Sequence, residues 1–452
     1  MVTALILVFV LGYAAIALEH PIKINKTASA LLTAVIAWTL LVMLPMPAGI
    51  EGSSAFAAYL SGLGEAGLGN LQEHFKHFVG HELSHHLGSI SEILFFLLGA
   101  MTIVELVDAH QGFRIITDRI TTKNTVKLLW IVSIITFFLS SVLDNLTTSI
   151  VMVSLLRKLI KEAEQRKFFA GMVIIAANAG GAWTPIGDVT TTMLWIGGQI
   201  STGAIMSTVF LPSLVCLIVP LGVLSFSLKG EIKGFDQANS NQDQGSVKGS
   251  LLMLILGVGS LLFVPVFKTV THHPPYLGIL LGLGLLWLVS ELLHADKDEE
   301  ERKPYTAVHA LSKVDTSSVL FFLGILLAIS ALQTANILSA AATWLDQTVG
   351  DLRIIVYLIG MLSAIIDNVP LVAASQGMYD MTTYPMDHWM WQFMAYCAGV
   401  GGSGLIIGSA AGVAVMGMEK IEFGWYLRNI TLWAILGYTA GAVVYLVMQG
   451  LV

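Results

Sequence analysis

Long apolar runs separated by short polar segments dominate the pattern of this chain. A helix that crosses a bilayer needs about 20 mostly apolar residues, and ten runs approach or exceed that length. They are 2–18, 28–45, 89–107, 168–202, 205–228, 249–267, 276–293, 316–335, 391–418 and 425–449. Glycine or proline interrupts 168–202 and 391–418 near their middles. The pattern therefore predicts an all-α polytopic membrane protein in which two of the helices are broken.

Two further apolar stretches, 127–157 and 352–379, each carry an Asp-Asn pair near the middle. Each stretch is too long for one crossing and too short for two. Lys and Arg cluster in 19–27, 114–127, 157–167, 229–248, 297–313 and 419–428. Cytoplasmic loops are enriched in Lys and Arg, so 127–157 begins and ends inside, whereas 352–379 begins and ends outside. Both stretches are predicted to be re-entrant hairpins, entering from opposite faces with Asp-Asn at their tips.

The two halves of the chain repeat the same order of motifs. SSVLDN at 140–145 matches SAIIDN at 363–368, and AGGAWTPIGD at 179–188 matches VGGSGLIIGS at 400–409. Together with the charge bias, this predicts inverted-topology repeats, each with a re-entrant hairpin and a broken helix. The sequence predicts four divisions. Residues 1–88 form an N-terminal part with spans and an extracytoplasmic segment, and 89–228 form the first repeat. Residues 229–315 form a polar linker with two connecting spans, and 316–452 form the second repeat.

Composition supports this class. The chain has 452 residues, of which 55% are hydrophobic and 12% are charged, against about 25% charged residues in soluble domains. The net charge of −7 argues against a nucleic-acid partner. Cys216 and Cys397 lie in apolar runs, so no disulfide framework is expected. The first residues lack a basic segment and a small-residue cleavage site, which predicts a retained first span.

Polar side chains inside the apolar segments are the candidate functional residues, because they are costly in hydrocarbon and persist where they line a site. All of them carry carboxylate, amide or hydroxyl oxygens. Hard cations prefer oxygen ligands, whereas an anion site favours Arg, Lys or helix N-termini. The predicted cation- and proton-binding residues are Asp144, Asn145, Thr147, Thr148, Asn178, Thr184, Asp188, Thr190, Thr191, Ser363, Asp367, Asn368 and Ser403.

The carboxylates supply an exchange mechanism. Burial disfavours the ionised form of Asp, and a bound cation favours it. Sodium and protons would then compete for one site, with Asp144 and Asp188 as the main candidates and Asp367 contributed by the other repeat. A cap of the second hairpin tip is the alternative role for Asp367. The nearby glycines either expose backbone carbonyls to the ion or only allow close helix packing.

The segment before the span 89–107 contains HELSH at 81–85, which fits the H-E-x-x-H pattern of zinc proteases. A protease needs a third ligand and an open coordination position, and no partner motif stands out, so a protease is a remote alternative. Four histidines are spaced to form one stripe along a helix: His74, His77, His81 and His85. This stripe is either a solvated helix surface or a sensor of external pH. Glu92 and Glu105 lie near opposite ends of the span and are possible proton-path residues, or else solvated helix ends.

Three motifs carry a family resemblance: DNLTTS at 144–149, NAGGAWTPIGDVTTTMLW at 178–195 and DNVPLVAASQGMY at 367–379. With them the chain resembles the NhaD-type sodium/proton antiporters over almost its whole length. The resemblance implies the ion-transporter fold of arsenite and dicarboxylate carriers, with a scaffold domain and a transport domain that moves in an elevator-like manner. It also implies a homodimer in the bacterial cytoplasmic (inner) membrane, with no cofactor and no protein substrate.

The resemblance further implies an activity, the exchange of cytoplasmic Na⁺ or Li⁺ for external H⁺. The Na⁺ ligands that we expect on this basis are Asp144, Asn145, Asn178, Asp188 and Asn368. A sodium-coupled anion carrier of the same fold is the main alternative. Both hairpin tips carry Asp, which would repel an anion, and this favours the antiporter.

Overall fold

The fold is described from a computed structural model, which covers residues 2–47, 50, 53–63, 70–117, 122–228, 230–232, 247 and 249–451. Most of the predicted polar linker 229–248 lies outside these residues, as does Arg119 of the basic cluster 114–127. The described chain is helical and contains no β-strand. This confirms the predicted all-α class.

The helices follow one another along the chain with short connections. Those of the first half are α1 (Val2–Ala17), α2 (Glu19–Ile22), α3 (Lys26–Met43), α4 (Ser54–Gly62), α5 (Leu71–Ala109), α6 (Arg114–Thr117), α7 (Thr125–Ser140), α8 (Asn145–Leu159), α9 (Ala163–Ala182), α10 (Val189–Ile196) and α11 (Thr202–Ser227). Those of the second half are α12 (Ser250–Thr271), α13 (Pro275–Leu293), α14 (Glu299–Arg302), α15 (Ala307–Lys313), α16 (Thr316–Thr334), α17 (Ile337–Val349), α18 (Leu352–Leu362), α19 (Asn368–Met378), α20 (Trp389–Gly401), α21 (Ala410–Glu419), α22 (Phe423–Asn429) and α23 (Thr431–Met448).

Among the described residues, seven helices are long and apolar enough to cross a membrane: α3, α5, α11, α12, α13, α16 and α23. The chain is therefore a multi-pass membrane protein. Helix α5 begins well before the predicted span 89–107, because the histidine-rich segment continues the same helix. The predicted span 425–449 is divided at Ile430 into α22 and α23.

Helix–turn–helix and helix–break–helix units occur in the same order in both halves. The turn between α7 and α8 covers 141–144, and the turn between α18 and α19 covers 363–367. The segment 168–202 is broken between α9 and α10, and 391–418 is broken between α20 and α21. Three of the helices that follow these turns and breaks have a polar N-cap side chain. Asp144, Asp188 and Ser409 accept backbone N–H groups at the starts of α8, α10 and α21. Their opposite orientation in the membrane stays a prediction.

Two glycines let each hairpin pack directly against the broken helix of the same half. A Cβ atom on Gly180 would lie 2.1 Å from the carbonyl oxygen of Phe137, and one on Gly401 would lie 2.0 Å from that of Gly360. These are equivalent positions in the two sequence repeats. Only glycine allows the backbones to approach so closely. The packing alternative for these glycines therefore has direct support at both positions.

Replacing Gly180 by Ala is expected to destabilise the protein, since the new methyl group meets backbone that cannot rotate away. Overpacking of this kind costs about 1–3 kcal/mol, measurable as a lower melting temperature of the purified protein. Gly417 lies in α21, and a Cβ atom added there would have no neighbouring atom within 4 Å, so Gly417→Ala is the matched control. Equal melting temperatures for the two variants would contradict the packing account.

The chain divides into two compact units, neither of them continuous in sequence. One contains 1–95, 315–355 and 372–384; the other contains 96–314, 356–371 and 385–452. In the first unit α3 packs on α16, and the indole Nε1 of Trp38 donates to the carbonyl of Leu327 at 2.8 Å. In the second unit α7, α8 and α21 pack on α9, and α23 packs on α11. The sequence segments 1–88, 89–228, 229–315 and 316–452 follow the repeats and stay a prediction.

Candidate cation site

A buried chain of side-chain hydrogen bonds links the first hairpin to the first broken helix, inside the second compact unit. The amide Nδ2 of Asn145 donates to Asp188 Oδ2 at 2.6 Å and to Asn178 Oδ1 at 3.0 Å. Asn178 is fully buried, and Asp188 is 1% exposed. An ionised carboxylate buried in this way needs donors or a cation to offset its lost hydration. The arrangement is therefore suited to a charge that is shared between protein donors and a bound ion.

The same series of side-chain hydrogen bonds continues into the second repeat. Asn178 Nδ2 donates to Ser403 Oγ at 2.9 Å and to Ser409 Oγ at 3.0 Å. Tyr426, which is buried in α22, donates its hydroxyl to the carbonyl of Ser403 at 2.8 Å. We call Asn145, Asn178, Asp188, Ser403 and Ser409 the amide network. It joins both broken helices to the tip of the first hairpin.

Asp188 has a double role that follows from its place as the N-cap of α10. Its Oδ1 accepts the backbone N–H of Thr190 at 2.8 Å and the hydroxyl of the same residue at 2.6 Å. Its Oδ2 accepts from the Asn145 amide. One oxygen thus fixes the start of the half-helix, and the other faces the amide network.

Asp144 repeats the capping pattern at the start of α8. It accepts the backbone N–H of Thr147 at 2.8 Å and its hydroxyl at 2.6 Å. Asp367 accepts the backbone N–H of Val369 at 3.2 Å, in line with the capping alternative for this residue. Asp144 and Asp367 both lie close enough to act electrostatically on Asp188. Three carboxylates therefore concentrate negative charge around the amide network, which favours a cation.

Several predicted hydroxyl ligands bind backbone carbonyls instead of network side chains. Thr184 donates to Ser141 at 2.6 Å, and Ser363 donates to Ala398 at 3.2 Å. Thr191 lies 3.4 Å from the carbonyl oxygen of Ala182. These three residues hold the broken backbone in place. Two other predicted residues, Thr148 and Asn368, are buried in the same unit as the network.

The residues of the HELSH motif lie on α5 in the first compact unit. His81 and His85 are exposed, and Glu82 contacts His81 Nδ1 at 3.4 Å and His86 Nε2 at 3.6 Å. Among the residues that the structure describes, no three His, Cys, Asp or Glu side chains are grouped to hold a metal ion. A role of these histidines or of Glu92 in pH sensing stays a prediction.

Glu105 lies further along α5, in the second compact unit, and is half-buried. It is within electrostatic range of Asp108, Lys313 and Asp144. The last of these is one of the carboxylates around the amide network. A proton-path role for Glu105 stays a prediction.

Two residues that contact the site, Ser409 and Tyr426, are not among the residues predicted from the sequence. Ser409 has the sequence signal of an N-cap in the broken helix, at the position equivalent to Asp188 in the first repeat. Tyr426 follows a charged loop and has no signal of its own. Its hydroxyl reaches Ser403 only through the fold.

The family model for citrate transporters (CitMHS) matches residues 13–399 of the chain. Curated proteins align over greater lengths. Sodium/proton antiporter 1 of Arabidopsis thaliana is 50% identical over 99% of this chain and 73% of its own length, and sodium/proton antiporter 2 of the same plant is 46% identical over 98% and 99%. The Na⁺/H⁺ antiporter NhaD of Alkalimonas amylolytica is 30% identical over 80% of this chain and 78% of its own length.

Proposed function

We propose that this chain, which belongs to the citrate transporter (CitMHS) family and to the family of the NhaD antiporters, exchanges sodium ions for protons across a membrane. It is a transporter and not an enzyme. Its family membership confirms the predicted resemblance and excludes the protease alternative. The named activity of the relatives is the reason for choosing sodium and protons as substrates.

The single observation that carries the proposal is the buried amide network around Asp188. In its ionised form Asp188 accepts the Asn145 amide through Oδ2. A proton on Oδ2 would instead need an acceptor, so the Asn145 amide would have to turn its oxygen toward Asp188. That turn changes the bond from Asn145 to Asn178. The network therefore has different arrangements for the protonated and the ionised carboxylate.

A sodium ion near Asp188 would stabilise the ionised arrangement, because hard cations bind carboxylate, amide and hydroxyl oxygens. We propose Asp188, Asn145 and Asn178 as the centre of the site, with Asp144 and Asn368 as further ligands. Asp367, Thr190 and Ser403 support them. Binding of the ion and of the proton are then mutually exclusive, which is the condition for exchange.

All residues of the amide network belong to the second compact unit. We propose that this unit carries the bound ion during alternating access, in an elevator-like movement. The homodimer and the bacterial cytoplasmic membrane also belong to this proposal. The transported ions, Na⁺ or Li⁺ and H⁺, are substrates and not resident cofactors.

A sodium-coupled anion carrier remains the second candidate, because the matching family model is described as a citrate transporter. The carboxylates of Asp144, Asp188 and Asp367, which lie in and around the amide network, would repel a citrate anion. The two functions also differ in whether transport needs an organic anion. The antiporter changes the pH with sodium alone, whereas the carrier moves sodium only together with the anion.

The test uses purified protein in liposomes loaded with sodium and a pH-sensitive dye. On dilution into sodium-free medium without citrate, we expect the lumen to become acidic as sodium leaves and protons enter. Liposomes without protein are the control. Sodium efflux that requires citrate, with no pH change in its absence, would establish the carrier instead.

A further inference from the structure

An ion cluster around the buried carboxylate of Glu419 links three helices at the ends that lie away from the amide network. Glu419 is the last residue of α21, and its side chain is 1% exposed. Its Oε1 accepts from Arg157 Nε at 2.7 Å, and its Oε2 accepts from Arg166 Nε at 2.6 Å. Arg157 lies in the last turn of α8 and Arg166 in the first turn of α9. We call these three residues the Glu419 cluster.

Backbone groups strengthen the connection. Arg157 Nη2 also donates to the carbonyl of Met418 in α21. Arg166 Nη1 donates to the carbonyls of Ile160 and Lys161 at 3.0 and 3.3 Å, where α8 ends. Each guanidinium therefore fixes a helix end as well as pairing with Glu419. A buried carboxylate with two such partners is well satisfied and strongly directional.

The same three helices meet again at their other ends, in the amide network. Helix α8 begins with Asn145, α9 carries Asn178 near its end, and α21 begins after Ser409. At a rise of 1.5 Å per residue, the cluster lies about 18 Å from the network along α8 and α9, and about 15 Å along α21. The amide network thus connects the three helices at one end and the Glu419 cluster connects them at the other, with nearly equal lengths of helix between.

We propose that Glu419, Arg157 and Arg166 are positioning residues that set the relative register of α8, α9 and α21, and through it the affinity of the amide network for its cation. This inference rests on the proposed sodium/proton exchange. The hydrogen bond that Asn178 accepts from Asn145 and the one that it donates to Ser409 each connect two of these helices. A slip of one helix along another changes the network oxygens that face the ion.

The test replaces Glu419 by Gln and measures the sodium dependence of proton flux in liposomes. We expect the KM for sodium to rise about tenfold because two guanidinium groups lose their buried partner, while the maximal rate per folded molecule changes little. Glu419→Asp keeps the charge and is expected to lie between Glu419→Gln and wild type. Glu162→Gln, an exposed carboxylate at the N-cap of α9 with no capping bond, is expected to behave as wild type.

A merely structural role has a different signature. It would lower the melting temperature and the amount of active protein but leave the KM for sodium unchanged, and that result would overturn the inference. If Glu419→Gln cannot be purified in folded form, Arg157→Gln decides the matter, because Arg157 is 48% exposed and Glu419 keeps Arg166. We then expect a KM increase of about threefold, and an unchanged KM would again overturn the inference. Failure of the wild-type protein to exchange sodium for protons would instead refute the proposed function.

Discussion

Replacing Asp188 by Asn is expected to reduce sodium-driven proton flux to the level of liposomes without protein. The amide has almost the shape of the carboxylate but neither its charge nor its titratable proton. Whichever oxygen the N–H₂ group replaces, it faces another donor, because Thr190 donates to Oδ1 and Asn145 donates to Oδ2. The variant therefore loses both the ligand and the proton carrier. The rate of lumen acidification after sodium dilution measures this loss.

Asp315 provides a matched control for this substitution. It is the N-cap of α16 and accepts the backbone N–H and the hydroxyl of Ser318, so it is a helix-capping aspartate like Asp188 but lies at an exposed position. Asp315→Asn is expected to keep the wild-type flux. Comparable flux in Asp188→Asn and Asp315→Asn would show that the exchanged proton is carried elsewhere.

Replacing Asn178 by Ala is expected to raise the KM for sodium at least about tenfold, because the hub of the amide network is lost. Asn145 then keeps only its bond to Asp188, and the hydroxyls of Ser403 and Ser409 lose their common donor. Each buried polar group without a partner costs about 1–3 kcal/mol, so the melting temperature should fall as well. Sodium-dependence curves and thermal unfolding of the same preparation give both quantities.

Asn429, which is half-buried, is the control for the loss of a side-chain amide in the same compact unit. Its Nδ2 donates to the carbonyl of Trp425 at 2.7 Å, within α22. Asn429→Ala is expected to leave the KM for sodium unchanged. An unchanged KM in Asn178→Ala as well would remove Asn178 from the proposed site.

The hairpins, the broken helices and the Asp-Asn tips follow from the sequence because hydrocarbon imposes a simple rule. A polar group in a long apolar run must be satisfied internally or serve a site, so Asp144 and Asp188 stand out without any structure. Their capping of α8 and α10 is also local information, since each partner threonine lies within three residues.

The pairing between the two halves is a different kind of information. Asn178 and Ser409 are 231 residues apart, and no local rule joins them. Arg157, Arg166 and Glu419 appear in the sequence only as parts of charged loops, because charge bias reports the side of the membrane and not the partner. Thr184 and Thr191 resemble ligands by composition, yet they bind backbone carbonyls. Such contacts depend on how distant helices pack.

The central claim is that sodium and a proton exclude each other at Asp188. The most direct measurement adds NaCl to the purified protein in weakly buffered solution near pH 7 and follows the release of protons with a pH indicator. We expect release on addition of NaCl, none on addition of choline chloride, loss of the signal in Asp188→Asn and its retention in Asp315→Asn. Sodium binding without proton release, or undiminished release in Asp188→Asn, would contradict the account.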